Sequence, residues 1–159
     1  MKKLILFGLT GFFLSCRSVN HFEADSPMPS VTMLRVDSSV YSTSQIPEGN
    51  YTVILYFRTD CPHCQKEMAD ILKSSSDLKT LNIIFLTIKP LKDLKPYARF
   101  FKLADYPNII TACDNKHEFL NYYRPAQVPY LLVFGPSKKL FRIYEGPVPV
   151  DSLKTFVKG

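Results

Sequence analysis

Two cysteines three apart, Cys61 and Cys64, enclose Pro62 and His63 and are the residues of this chain best suited to chemistry. An apolar run, residues 53–57, leads into them and an amphipathic segment follows. That order predicts a strand, a short loop and a helix whose first turn carries both thiols. A helix N-terminus presents unpaired N–H groups and a positive dipole end, so a thiolate placed there is a usable nucleophile at neutral pH. Pro62 suits a first-turn position, where its missing N–H would have had no intrahelical partner. The same residues would also serve a structural disulfide or half of a zinc site. Zinc sites usually need a second Cys/His pair at ligand spacing, and Cys113, His117 and His21 do not supply one. The pattern favours a redox dithiol with no bound metal.

Several elements must position this pair. Residues 31–36 and 40–42 read as short strands, and residues 52–57 as a buried central strand, β-branched and aromatic almost throughout. In the helix after the motif, Cys61, Cys64, Met68, Ile71 and Leu72 fall on one apolar face. Residues 82–88 form a second buried strand. Leu91, Leu94, Tyr97, Ala98 and Phe101 describe a second helix, with Pro96 placed in its first turns or kinking it. Residues 108–113 are a third strand, 118–123 a short helix, and 130–134 with 140–144 a hairpin. Leu153, Phe156 and Val157 fit the inner face of a last helix. Alternating strands and helices ending in a hairpin indicate an α/β fold with a mixed central sheet covered on both faces.

The chain of 159 residues is one domain's worth, and nine tyrosines and twelve phenylalanines help fill its core. Its net charge is +6, but the basic residues are scattered, without an aromatic-basic stripe, so nucleic acid is not an expected partner. The N-terminus reads as a targeting segment: Lys2 and Lys3, then an apolar stretch over residues 4–14, then Ser15-Cys16. That stretch falls short of the roughly 20 residues a membrane-spanning helix needs. A cysteine after a small residue at its end resembles the lipobox of bacterial lipoproteins. The resemblance implies a signal peptide over residues 1–15, a lipid anchor on Cys16 and a polar tether over residues 16–30 that contains Pro27 and Pro29. The chain is then exported and membrane-anchored, on the periplasmic or cell-surface side, where disulfides persist.

Over about residues 31–158 the chain resembles the thioredoxin superfamily. CPHC after a buried strand carries the likeness, together with Val128-Pro129 opening the hairpin strand. The resemblance implies a thioredoxin-like fold, with Pro129 cis against the dithiol and the backbone of Val128 pairing with an extended substrate. The helix and strand over residues 91–113, the leader and the N-terminal strands are similar to TlpA/ResA-type membrane-tethered proteins, which implies a reductant. The dipeptide Pro62-His63 is the one typical of DsbA-like oxidases and isomerases. Asp60 stands where thioredoxin has an aromatic, and Leu55 where it has a buried acid, so no acid is assigned to Cys64 from sequence. Peroxiredoxins need a threonine three residues before the reactive cysteine, where this chain has Arg58.

By this resemblance Cys61 attacks a substrate disulfide and Cys64 resolves the mixed disulfide. His63 would tune Cys61 by hydrogen bond or charge, and Asp60 would oppose it if close. The implied activity is thiol–disulfide exchange with protein substrates, needing no cofactor beyond the Cys61–Cys64 disulfide. A membrane electron donor or acceptor would complete the cycle. A non-catalytic binding lipoprotein with a static bridge, or a thiol metal carrier, is the alternative. Cys113 reads as a buried small hydrophobe.

Overall fold

The computed structural model of the chain describes residues 23–157. Two short strands, β1 (Thr32–Arg35) and β2 (Val40–Ser42), come first, followed by β3 (Thr52–Tyr56), α1 (Pro62–Lys73), β4 (Asn82–Thr87) and α2 (Leu91–Phe100). Then come β5 (Ile109–Cys113), α3 (Glu118–Tyr123), the hairpin of β6 (Tyr130–Phe134) and β7 (Leu140–Glu145), and α4 (Val150–Lys154). The strands form one seven-stranded sheet in the order β2-β1-β5-β4-β3-β6-β7. β3, β4 and β5 are parallel, while β6, β7, β1 and β2 each run antiparallel to the neighbour they extend. This is the mixed sheet expected from the element order; of residues 91–113, β5 joins it and α2 packs on one face.

Period-two alternation along the strands sorts the core into two faces. Val53, Leu55, Phe57, Leu131 and Val133 point to one, where α1, α2 and α4 cover them through Met68, Ile71, Leu94 and Leu153. Ile54, Tyr56, Leu132 and Phe134 point to the other, against Phe119 and Tyr123 of α3 and Val31 and Met33 of the N-terminal segment. Chain handedness explains the uneven split. The β3-α1-β4 and β4-α2-β5 crossovers step in the same direction, so right-handed connections place both helices on one face. The return from β5 to β6 passes beyond β4 and β3 and carries α3 to the other face. Truncating a fully buried member such as Phe57 costs about 3–5 kcal/mol, so the dithiol is mounted on a stiff platform.

Pro96 lies inside α2, in its second turn. Pro96 is exposed, and Lys92, whose carbonyl loses a partner, is exposed too, so that carbonyl is open to solvent. The start of the described chain departs from expectation. Residues 25–29, counted from sequence in a polar tether, are docked on the domain. Asp25 N–H donates to Leu140 O at 2.8 Å, Leu140 N–H to Ser26 O at 2.8 Å and Met28 N–H to Lys138 O at 2.8 Å. The Thr43 hydroxyl donates to Pro29 O at 2.6 Å. The earlier residues read as a tether, those read as a signal peptide, and Cys16 lie outside the described residues. Among the described residues no helix is long and apolar enough to cross a membrane.

Candidate active site at the N-terminus of α1

β3 delivers the chain to the site. The Phe57 N–H donates to Leu86 O at 2.9 Å, so pairing with β4 persists one residue past the strand end. The loop that follows is pinned by Cys61 N–H to Arg58 O (3.2 Å) and by the Gln65 side-chain amide to Thr59 O (2.7 Å). Cys61 is the N-cap of α1, in extended conformation (φ −100°, ψ 111°), with Pro62 as the first helical residue. Its Sγ accepts the Cys64 N–H at 3.2 Å. A serine or aspartate oxygen usually fills this role. Here the sulfur itself meets one of the helix's orphan donors, so negative charge on Cys61 is welcomed by the N–H and by the helix dipole.

The two thiols differ in exposure. Cys61 is half-buried and Cys64 fully buried, and both are free. Burial pushes the Cys64 thiol up to about 12, helped by its contact with Cys61. On the opposite wall the Val128–Pro129 peptide bond is cis. Pro129 is buried and Val128 half-buried, packed against both core faces. The Cys61 thiol makes a long contact, 3.9 Å, to the Val128 carbonyl. The two motifs singled out from sequence thus meet at one sulfur.

Asp60 is not an unopposed charge. Arg58 grips it with two hydrogen bonds, Nε–Oδ1 at 3.1 Å and Nη2–Oδ2 at 2.9 Å, and Lys89 Nζ lies 3.7 Å from Oδ2. The Arg58 bonds above all hold the Asp60 carboxyl at about 2, below the usual carboxylate range. The opposition to a Cys61 thiolate expected from Asp60 is largely cancelled by these cations. His63 is exposed in the first turn of α1, and its imidazole makes no hydrogen bond to the described residues. It lines a groove of about 660 Å³ between α1 and the loop after β7, shared with Glu67 and Val148.

Glu67 is the functional candidate that sequence reasoning missed. One turn beyond Cys64, it is only 4% exposed. Its Oε2 accepts the Val148 N–H at 3.2 Å, and Oε1 is buried without a partner. Burial pushes the carboxyl up to about 7. The signal was its place three residues after Cys64, on the same stripe as Met68 and Ile71. Tyr97, on the apolar face of α2, is a second such residue. Its ring packs on Phe57 at 5.5 Å, and its hydroxyl is buried without a partner. Burial raises that hydroxyl, and the nearby Cys64 and Cys61 add to the effect. Cys113 is buried at the end of β5, 3% exposed, and His117 is exposed before α3. Cys16 and His21 lie outside the described residues.

Solved structures of low identity share this architecture. The thioredoxin domain of a thiol-disulfide oxidoreductase from Bacteroides vulgatus superposes with a TM-score of 0.69, at 20% identity, covering 87% of this chain and 97% of that one. A secreted Mycobacterium tuberculosis disulfide oxidoreductase gives 0.67 at 11% identity, covering 80% and 93%. ScoI from Arabidopsis thaliana, with copper bound, gives 0.66 at 16%, covering 84% and 97%. At such identities the likeness concerns the fold. No curated protein matches the chain. The family model described as thioredoxin-like matches residues 49–140, more than half of the chain, and that span takes in β3, the dithiol, the cis-proline and the first hairpin strand. The chain belongs to the thioredoxin-like family.

Proposed function

We propose that this protein is an extracytoplasmic thiol–disulfide oxidoreductase, tethered to a membrane through Cys16, that exchanges disulfides with protein substrates. The observation that carries the reading is the pairing of a half-buried Cys61, capped by the Cys64 N–H at 3.2 Å, with a fully buried Cys64. One sulfur is reachable and its negative charge is stabilised, while the other is hidden and neutral.

As a reductant, the Cys61 thiolate attacks one sulfur of a substrate disulfide, and the other substrate sulfur leaves as a thiolate that takes up a proton. Cys64 then gives its proton to the Glu67 carboxylate and attacks Cys61 Sγ. The second substrate sulfur departs and is protonated in turn. The substrate gains two electrons and two protons, and the protein is left with a Cys61–Cys64 disulfide. The backbone of Val128 holds an extended substrate segment by β-type pairing, and Pro129 packs beside the sulfurs. A membrane electron donor re-reduces the pair.

The reducing direction is supported by Cys64, since a buried thiol held neutral adds no thiolate stabilisation to the reduced state. One observation favours the opposite, DsbA-like direction: Arg58 and Lys89 offset the charge of Asp60, which leaves the helix N-terminus unopposed beside Cys61. A reduction potential near thioredoxin's, about −270 mV, supports the reductant, whereas one near DsbA's, about −120 mV, supports the oxidase. The reading as a whole fails if Cys61→Ser protein exchanges disulfides as fast as the parent. A stoichiometric metal lost on replacing Cys64 would instead favour a thiol metal carrier.

A further inference from the structure

Far from the dithiol, a groove of about 930 Å³ opens between α2 with the turn after it and the segment joining β1 to β2. Cys61 follows the C-terminal end of β3, whereas Ile109, in the groove floor, begins the parallel strand β5, so the two lie towards opposite ends of the sheet. The volume suits a small organic ligand. Ala98, Leu103 and Ile109 give the groove a buried apolar floor.

The rim is basic. Arg35, Lys95, Arg99 and Lys102 line it, against Asp37 and Asp105. Among the described residues Arg35, Arg99 and Lys102 form no ion pair. Asp37 is turned in on its own loop, where Oδ1 accepts the Ser39 N–H at 2.9 Å and the Ser39 hydroxyl at 2.6 Å. Lys95 Nζ donates to Ser38 Oγ at 3.1 Å and so ties α2 to the facing loop.

A second, independent feature lies inside the groove. Thr111 lines it and is 4% exposed, yet its hydroxyl has no partner. Ile109 and Cys113, two residues to either side, belong to the core face that α2 covers, so alternation directs Thr111 to that same side. Leaving a buried hydroxyl unpaired is unfavourable, and a ligand oxygen that parts the side chains closed over it would satisfy it.

We infer that this groove is a binding site for a small amphiphilic anion, with its apolar body on Ala98, Leu103 and Ile109 and one phosphate, sulfonate or carboxylate group held by Arg99, Lys102 and Arg35. The site goes beyond the redox reading and is independent of it.

The test uses 8-anilinonaphthalene-1-sulfonate as a fluorescent probe of the full chain, with phenyl phosphate and phenol as competitors. The site predicts one saturable probe molecule per chain, weakened by salt and displaced by phenyl phosphate but not by phenol. Arg99→Ala/Lys102→Ala weakens binding about tenfold or more. Thr111→Val, nearly isosteric and so still folded, weakens it about fivefold. Disulfide exchange through Cys61 stays unchanged in all these variants, so loss of the site and failure of the redox reading are distinguishable. Equal binding by parent and double variant would overturn the inference. So would displacement by phenol as effective as by phenyl phosphate, or binding confined to vesicles of anionic phospholipid.

Discussion

Glu67 accepts the Val148 N–H through Oε2 at 3.2 Å while its other carboxyl oxygen is buried with no partner. This bond ties α1 to the loop before α4 and places a half-satisfied acid one turn from Cys64. A carboxylate so placed is poorly compensated when charged, which is why burial pushes it up to about 7. The acid missing at Leu55 on β3 thus has a counterpart on the helix that carries the thiols.

The raised carboxyl predicts a pH dependence of stability with a definite sign. Glu67 binds its proton more tightly folded than unfolded, so its contribution is fully present below its ordinary value of 4.5 and is lost as pH rises to about 7. The loss is about 2 kcal/mol, allowing for partial solvent screening. Chemical denaturation from pH 4 to 8 checks this, since Glu67→Gln removes most of that slope. The same variant slows closure of the Cys61–Cys64 disulfide at neutral pH by about tenfold or more, because the proton acceptor is gone.

The grip of Arg58 on Asp60 predicts opposite effects from its two halves. Arg58→Ala leaves Asp60 only the 3.7 Å contact with Lys89, so alkylation of Cys61 slows about twofold. Asp60→Asn frees the guanidinium and speeds it by a similar factor. Both effects shrink in high salt, because the pair is exposed. Iodoacetamide kinetics on the reduced protein read them directly.

Cys113 is buried and serves packing. Cys113→Ala leaves the rate of disulfide exchange unchanged and costs about 1 kcal/mol. In the folded parent its thiol reacts with alkylating reagents far more slowly than Cys61 does, as mass spectrometry of digested protein will show.

Tyr97→Phe removes a buried hydroxyl that has no partner. Stability stays the same or rises by up to about 1 kcal/mol, because the ring's contact with Phe57 is kept. Thermal unfolding at fixed pH measures it.

Much of this arrangement was legible in the chain. The runs that became β3, β4 and β6 are apolar nearly without a break, as strands covered on both faces must be. Pro62 marked the start of α1 because a first-turn proline is a local requirement, although Cys61 caps the helix rather than lying in its first turn. What escaped depended on distant partners. Glu67 reads as an ordinary solvated helix acid until Val148 arrives from beyond β7 to cover it. Asp60 looks like a lone charge until the loop folds Arg58 onto it and Lys89, two residues past β4, comes within 3.7 Å. Residues 25–29 have the polar, proline-bearing composition of a linker, and they dock through backbone bonds to Lys138 and Leu140 that composition does not encode.

The central claim is that Cys61 attacks and Cys64 resolves, and trapping the intermediate tests it most directly. Reduced Cys64→Ser protein would be mixed with a disulfide-bonded protein substrate, quenched in acid and resolved on a non-reducing gel, with the junction mapped by mass spectrometry. The account predicts a stable mixed disulfide through Cys61 Sγ, absent when Cys61→Ser protein is used in its place. A complex through another cysteine, or equal amounts of complex from both variants, would contradict it.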